Sequence, residues 1–308
     1  MNAAKNLVLF IDGTWSAPHK RRQTNVRKLF EVTVHATEGL SPQLAYYLPG
    51  VGTDIKASVT GDSAGYYKSN LSLQQYAGAQ THASMRWLLG GAFGEGTAAR
   101  IKEAYAFLCS EYDSRRGDRV FIFEFSRGAF AARSLAGFIN EVGILLRNKM
   151  EFLEAAYQLY ESPSADLRAV LQPFIKGLAG KTIQGIGDDP DSILVHFLGT
   201  WDTVGAMGLP GRMSRFTADR TEYHEIDLPP NVMKARHAMA IHEQQKAFEV
   251  LQFRRKASHR DIVEVWLPGA HADVGGGYAD GESGLSGIAF RWMLNEAAAA
   301  GLNIEECA

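Results

Sequence analysis

The sequence has few cysteines, no long apolar run and no excess of basic residues. Its two cysteines, Cys109 and Cys307, exclude a disulfide framework and a thiolate metal site, and they indicate synthesis in a reducing cytoplasm. No apolar stretch approaches the ~20 residues that span a bilayer. The first residues lead straight into a short apolar strand, so we expect no signal peptide and export, if any, by a dedicated secretion machine. A net charge of -2 with scattered basic residues excludes nucleic acid as a partner.

Short apolar runs alternate with segments of helical periodicity, and this alternation predicts an α/β fold. It favours a mostly parallel central sheet with helices on both faces. Helix patterns follow the Thr24 cap and occupy 101–112, 149–161, 231–246 and 285–299. Apolar runs typical of strands buried on both faces occupy 7–11, 44–48, 120–125, 193–198 and 262–267. With no internal repeat or linker, we expect a single domain over residues 1–308.

The regular pattern lapses between residues 54 and 96, which are rich in glycine, serine, threonine and aromatic residues. Loops of this length inside a compact domain are usually functional or mobile. One interpretation is a lid or insertion that shields an apolar substrate, and the other is a piece of core joined by flexible loop. Helices after residue 149 could add a helical cap over the sheet.

The segment 120–139 is typical of a strand that turns sharply into a helix, with Ser126 on the turn. Such a turn holds a serine above the sheet edge, where the backbone N–H of Arg127 can stabilise an oxyanion. The alternative interpretation is that Ser126 only caps the helix. In the elbow pattern G-x-S-x-G, Glu124 stands where the first glycine belongs.

Four predicted strands end in polar residues, namely Asp12, Ser126, Asp202 and His271. In an open α/β sheet the ligand site lies outside these carboxyl ends, so the four side chains should converge. The order serine, aspartate, histidine is that of α/β hydrolases. We therefore predict Ser126 as nucleophile, Asp202 as the orienting acid and His271 as the base. Taken singly, Asp202 could cap a helix and His271 could be a loop histidine, and Asp273 is a competing acid.

The oxyanion hole is predicted from the loop after the first strand. Gly13 permits close approach of the backbone to substrate, so the N–H groups of Gly13, Thr14 and Arg127 are the candidate donors.

Glu124 is predicted to modify the site rather than to support the fold. A carboxylate buried in a strand covered on both faces must find a cation or hydrogen bonds, or take up a proton. Arg127 and Arg133 are the nearest cations in sequence. We expect Glu124→Gly to raise activity with a modest effect on stability.

Six segments, the fourth of them together with Arg133, resemble the α/β-hydrolase domain of type VI secretion phospholipase and lipase effectors, and the resemblance extends over residues 6–292. They are 10–14 (FIDGT), 24–26 (TNV), 49–53 (PGVGT), 125–129 (FSRGA), 201–205 (WDTVG) and 268–278 (PGAHADVGGGY). The resemblance implies an α/β-hydrolase fold and hydrolysis of lipid esters without a cofactor, with Ser126, Asp202 and His271 as the triad.

The resemblance also implies where the protein acts and with what. It implies delivery from the bacterial cytoplasm by a type VI secretion system, and hence a secretion-apparatus component and an immunity protein as partners. A lipid or ester substrate implies transient contact with a membrane surface.

Two other classes of function remain open from the sequence. A metal-dependent phosphoesterase could use Asp12, Asp202, His271 and Asp273 as ligands, and residues 12–14 echo the phosphatase motif D-x-D-G-T. However, Phe10 stands where that motif has its nucleophilic aspartate. A binding protein that kept the fold but lost the chemistry is the second alternative, since a disused elbow would tolerate Glu124.

Overall fold

The central feature of the fold is one sheet, which has seven strands in the part of the chain that the structure describes. The computed structural model describes residues 4–13, 22–33, 41–50, 58–59, 92–126, 128–161, 166, 169–170, 173, 195–204, 228–254 and 261–305. The strands are β1 (Asn6–Ile11), β2 (Gln43–Leu48), β3 (Ser58–Val59), β4 (Arg119–Phe125), β5 (Val195–Trp201), β6 (Val232–Ala240) and β7 (Asp261–Leu267). Their order is β3-β2-β1-β4-β5-β6-β7. All neighbours are parallel except the two-residue β3, which pairs antiparallel with β2, so the predicted α/β class is confirmed.

Helices cover both faces of the sheet. They are α1 (Asn25–Val32), α2 (Ala92–Glu111), α3 (Gly128–Val142), α4 (Leu153–Glu161), α5 (His271–Gly275) and α6 (Gly284–Ala299). Short 3-10 turns occupy Ser114–Arg116, Arg147–Phe152, Lys246–Phe248 and Asp280–Glu282. Helices α2, α3 and α4 pack on one face, and α1, α5 and α6 pack on the other. Within the described residues, no helix is both long and apolar enough to cross a bilayer.

Strands β1, β2 and β4 read as nearly continuous apolar runs because both of their faces are buried. In β1, Leu7, Leu9 and Ile11 contact the α2–α4 layer, whereas Val8 and Phe10 contact the layer of α1, α5 and α6. A parallel sheet sandwiched between helices requires apolar side chains on both faces. This explains why the sequence locates these strands to within a few residues.

The predicted helix over 231–246 is wrong, because residues Val232–Ala240 form the strand β6. Alanine, methionine, lysine and arginine in this segment favour a helix in isolation. In the fold, however, β5 and β7 pair with β6 on both sides, and its second half is buried. The gain from a central position in the sheet therefore overrides local propensity.

Two predicted helices match the structure closely. Thr24 caps α1 by accepting a hydrogen bond from the N–H of Arg27 at 3.1 Å, and α6 coincides with the helix predicted over 285–299. The helix predicted over 149–161 begins as a 3-10 turn and becomes α4. Of the segment 54–96, the structure describes only residues 58–59 and 92–96, so the lid and the single-domain boundary stay predictions.

A glycine in β5 sets how closely α6 approaches the sheet. A Cβ added at Gly199 would lie 2.8 Å from both Met293 Sδ and the Phe123 ring. Overpacking of this kind costs about 1–3 kcal/mol. We expect Gly199→Ala to lower the free energy of unfolding by that amount, as measured by chemical denaturation.

Gly287→Ala is the matched control for that experiment. Gly287 lies in α6, and a Cβ there would meet no atom within 4 Å. Replacing such a helical glycine stabilises by about 0.4–1 kcal/mol. Equal effects of the two substitutions would contradict the close-packing argument.

Candidate active site

Ser126 lies on a strained turn between β4 and α3. Its backbone is left-handed, with φ of 62°, and its N–H donates to the carbonyl of Trp201 at 3.2 Å. A Cβ added at Gly128 would stand 2.8 Å from the carbonyl oxygen of Ile11, so only glycine lets α3 begin this close to the end of β1. The local structure is therefore a sharp strand-to-helix elbow with a serine at its apex.

His271 bridges Ser126 and Asp202. Its Nε2 lies 2.7 Å from Ser126 Oγ, and its Nδ1 lies 2.6 Å from Asp202 Oδ2. With the imidazole proton on Nδ1, the ring donates to Asp202 and accepts from the serine hydroxyl. The three side chains come from the elbow after β4, the end of β5 and the first residue of α5. The structure thus brings together the three residues that the sequence placed at strand ends.

Asp202 is fully buried and held from several sides. Its Oδ1 accepts from the N–H of Ala240 at 2.7 Å, and its own N–H donates to the carbonyl of Ala238 at 2.7 Å. Asp202 has φ of 40°, and it and Ser126 are the non-glycine residues with positive φ in the described part of the chain. Such conformations cost of order 1–3 kcal/mol and persist where surrounding contacts enforce them.

The imidazole of His271 is enclosed by two aromatic rings. Phe125 stacks on it with a centroid distance of 4.7 Å and an interplanar angle of 29°. Phe248 stacks with a centroid distance of 4.7 Å and an angle of 19°. Glu243 Oε2 also accepts the backbone N–H of His271 at 3.1 Å. The ring is therefore oriented by stacking as well as by hydrogen bonds.

The loop after β1 lies beside the nucleophile. A Cβ added at Gly13 would stand 3.4 Å from Ser126 Cβ. The Gly13 N–H donates to Asp12 Oδ1 at 2.7 Å, so it already has a partner in this loop. Thr14 and Arg127, the other predicted oxyanion donors, lie outside the described residues.

The two residues proposed only as metal ligands have other partners. Asp12 Oδ2 accepts from Tyr47 Oη at 2.5 Å and from Thr24 Oγ1 at 2.9 Å. Asp273 accepts the N–H of Ala270 at 2.9 Å, which places it at the start of α5 as a capping residue. Among the described residues, no group of three or more histidine, cysteine, aspartate or glutamate side chains is arranged to hold a metal ion.

Glu124 is fully buried beneath the elbow. Burial raises the pKa of Glu124 to about 8, and the charge of Arg133 and the hydrogen bond from Thr203 oppose that rise. Thr203 Oγ1 donates to Glu124 Oε1 at 3.1 Å, and Oε2 has no hydrogen-bond partner among the described residues. The carboxyl is thus linked to the residue that follows Asp202.

Sequence reasoning missed several side chains around the site. The helix predicted over 231–246 gives wrong positions for His237 and Glu243, which lie within it, and for Phe248, which follows it. Glu264 was treated only as part of a strand. The pairing of His237 with Glu264 across β6 and β7 depends on register, which a single sequence does not display.

The parallel sheet, the elbow serine and the sheet-edge histidine together define an α/β-hydrolase-like protein. The chain belongs to the Tle1-like family of type VI secretion phospholipase effectors. Residues 5–296 match the family model described as "T6SS, Phospholipase effector Tle1-like, catalytic domain". This match confirms the resemblance noted in the sequence.

The relatives of this chain are longer proteins. The uncharacterized protein YEL023C of Saccharomyces cerevisiae is 30% identical over 208 residues, which make up 68% of this chain and 28% of that protein. The crystal structure of an uncharacterized protein from Pseudomonas aeruginosa is similar over 98% of this chain and 46% of that one, with 22% identity and a TM-score of 0.52. The structure of the Tle1 effector bound to the VgrG spike is similar over 92% and 53%, with 20% identity and a TM-score of 0.45. The chain therefore spans 28% of the curated relative and about half of each solved structure.

The raised pKa of Glu124 predicts a pH-dependent cost to stability. The folded chain keeps this proton up to about pH 8, whereas an unperturbed carboxyl loses it near 4.5. Because the folded state then binds more protons than the unfolded state, stability falls as pH rises through that window. Glu124→Gln should therefore become increasingly more stable than wild type between about pH 5 and 8, by on the order of a few kcal/mol. Urea denaturation at a series of pH values measures this difference.

Glu243→Gln is the control, because the pKa of Glu243 is shifted in the opposite direction to that of Glu124. Burial opposes the shift, but hydrogen bonds from the backbone N–H groups of Gln245 and His271 lower the pKa of Glu243 overall. The Glu243 carboxyl is ionised in both the folded and the unfolded state above about pH 6. The difference in free energy of unfolding between Glu243→Gln and wild type should therefore stay constant from pH 6 to 8. If the difference between Glu124→Gln and wild type also stays constant over this range, the raised pKa of Glu124 is refuted.

Proposed function

We propose that this chain is a serine hydrolase of lipid esters, of the phospholipase or esterase type. Ser126 is the nucleophile, His271 the general base and Asp202 the orienting acid. The single observation that carries the proposal is the imidazole of His271 within hydrogen-bond distance of both Ser126 Oγ and Asp202 Oδ2. Membership of a phospholipase effector family supports a lipid ester as substrate.

The reaction follows from the roles of these three groups. Ser126 Oγ attacks the ester carbonyl carbon while His271 Nε2 takes the hydroxyl proton. The buried carboxylate of Asp202 keeps the proton on Nδ1 and stabilises the imidazolium. The tetrahedral intermediate collapses when His271 returns the proton to the leaving alkoxide. Water then attacks the acyl-serine with His271 again as base. Collapse of this second intermediate breaks the acyl bond to Ser126 Oγ, to which His271 returns the proton, and releases the fatty acid.

The negative charge on the intermediate needs backbone donors, and those of Gly13, Thr14 and Arg127 are the proposed ones. The closeness of Gly13 to Ser126 supports this proposal. Since the Gly13 N–H donates to Asp12, its use for the oxyanion requires that internal bond to open. Each such donor is worth about 10²-fold or more in rate.

The proposal extends to biology through the family. As a member of a type VI secretion effector family, the chain would be carried by that apparatus, through contact with one of its components, and neutralised by an immunity protein. The substrate is then a lipid ester in the membrane of a rival bacterium, with which the protein makes transient contact. This step is tested by comparing lipid release from target cells exposed to the wild type and to Ser126→Ala.

The triad is tested by single and double substitutions. Ser126→Ala and His271→Ala should each reduce hydrolysis of phospholipid vesicles or of a short-chain ester by at least about 10³-fold. Because nucleophile and base act as one unit, the double variant should be little worse than either single variant. Additive losses would contradict the proposal.

A fluorophosphonate probe gives an independent test. It should label wild type at Ser126, as located by mass spectrometry of the peptide, and should not label Ser126→Ala. Ser110→Ala should label like wild type, because this serine lies in α2 and donates its hydroxyl to the carbonyl of Phe107 at 2.8 Å. A folded wild-type protein that is neither labelled nor active would favour the non-catalytic binding protein instead.

Glu124 is proposed to modify this site, and its test separates activity from stability. Glu124→Gly provides the elbow glycine and removes a buried carboxyl, which stabilises the fold, but it also leaves a cavity, which destabilises it; we therefore expect ester hydrolysis to rise while the melting temperature changes little. Loss of fold in this variant would make Glu124 a structural anchor. Loss of activity with the fold intact would make it part of the chemistry.

A further inference from the structure

A second histidine–carboxylate pair lies buried beside the candidate active site. His237 on β6 is fully buried, and its Nδ1 lies 3.3 Å from Glu264 Oε1 on β7. The two residues are direct partners in the register of these parallel strands. The reaction proposed above makes no use of either side chain.

The other nitrogen of this imidazole contacts the backbone next to Asp202. The N–H of Thr203 donates to His237 Nε2 at 3.2 Å. An imidazole nitrogen accepts a hydrogen bond only when it carries no proton. The proton of a neutral His237 is therefore on Nδ1, where it is donated to Glu264.

Electrostatics keep His237 in that neutral form. Burial lowers the pKa of His237, the charge of Arg133 on α3 lowers it further, and Glu264 and Asp202 oppose these effects. Arg133 is itself engaged, since its Nη2 donates to the carbonyl of Leu251 at 2.8 Å. Glu264 Oε1 also accepts the N–H of Phe253 at 2.9 Å. The pair is thus fixed by contacts from several elements.

All the polar groups of Thr203 are held by surrounding elements. The N–H of Thr203 donates to His237, the carbonyl of Thr203 accepts from the N–H of Leu251 at 2.9 Å, and the hydroxyl of Thr203 donates to Glu124. Asp202, the preceding residue, holds the left-handed backbone that aims its carboxylate at His271. Rotation of the peptide between Asp202 and Thr203 would change that aim and break the bond to His237.

We propose that His237, oriented by Glu264, is a positioning residue: by accepting the Thr203 N–H it holds the peptide after Asp202, and so the carboxylate that orients His271. The inference rests on the proposed serine hydrolase. It predicts that loss of the acceptor at position 237 weakens catalysis while substrate binding is kept.

The test compares two substitutions of His237 that differ in the acceptor. Leucine fills the cavity but accepts no hydrogen bond, whereas the side-chain carbonyl of glutamine accepts one. His237→Leu should lower kcat for a short-chain ester by about 10- to 100-fold, because small misplacements of a catalytic group cost rates of this size. Its KM should change by less than about twofold, and His237→Gln should recover most of the lost kcat.

A spectroscopic readout follows the orientation directly. The proton in the short bond between His271 Nδ1 and Asp202 Oδ2 should give a downfield NMR resonance in wild type and in His237→Gln. In His237→Leu it should shift upfield or broaden. A role confined to packing would lower the melting temperature of both variants without moving this resonance.

His196→Leu is the matched control, and circular dichroism verifies folding of every variant. His196 lies on β5 and contacts the carbonyl of Ala300, near the opposite end of the strand from Asp202. The substitution His196→Leu should leave kcat unchanged. If His237→Leu does not fold, His237→Asn replaces it, because its shorter side chain does not reach the Thr203 N–H.

The outcomes separate this inference from the proposed function. If Ser126→Ala retains full hydrolysis, the serine hydrolase itself is wrong. If Ser126→Ala is inactive but folded His237→Leu keeps the wild-type kcat, only the positioning role is refuted. Equal losses in His237→Leu and His237→Gln refute it as well, since the acceptor would then be irrelevant.

Discussion

The carboxyl edge of the sheet depends on the need of the buried Asp202 carboxylate for a hydrogen-bond partner at each oxygen. A buried polar atom without one costs about 1–3 kcal/mol, and more if it is charged. Asp202 shows the effect most clearly, because it is fully buried and each carboxylate oxygen accepts one bond. One comes from the end of β6 through Ala240, and the other comes from His271. The hydrogen bond from His271 at the start of α5 therefore satisfies the second oxygen of this buried carboxylate.

Hydrogen bonds of buried side chains at the start of α1 also link the loop after β1, beside Ser126, to α5, which carries His271. Asp12, next to the elbow, accepts from Thr24 at the cap of α1. The neighbouring Asn25 donates from Nδ2 to the carbonyls of Val274 at 2.8 Å and Ser286 at 3.0 Å. One helix start thus contacts the loop after β1, the short helix that begins with His271 and the helix that follows it. The site rests on this bracing as much as on the sheet.

The sequence predicts the features that depend on one strand or one strand end, and it misses those that depend on register. Burial on both faces makes β1, β2 and β4 largely apolar runs, so these strands are predictable, as is the convergence of residues at the carboxyl ends of parallel strands. β6 is not, because its residues favour a helix and only the presence of β5 and β7 makes it a strand. The contact of His237 with Glu264 is hidden for the same reason. Which backbone N–H groups face an oxyanion is likewise a property of loop geometry, as the bond from Gly13 to Asp12 illustrates.

The enclosure of His271 between Phe125 and Phe248 has a kinetic consequence. A flip of the imidazole about its bond to Cβ would exchange the two sides of the ring, and it requires the ring plane to sweep through space that the stacked phenyl groups fill. The hydrogen bonds of the two ring nitrogens to Ser126 Oγ and Asp202 Oδ2 oppose the same rotation. The flip therefore requires both hydrogen bonds to break and at least one of the two phenyl rings to move aside. The histidine keeps one orientation for as long as both rings stay stacked on it, so that the same nitrogen faces Ser126 from one turnover to the next.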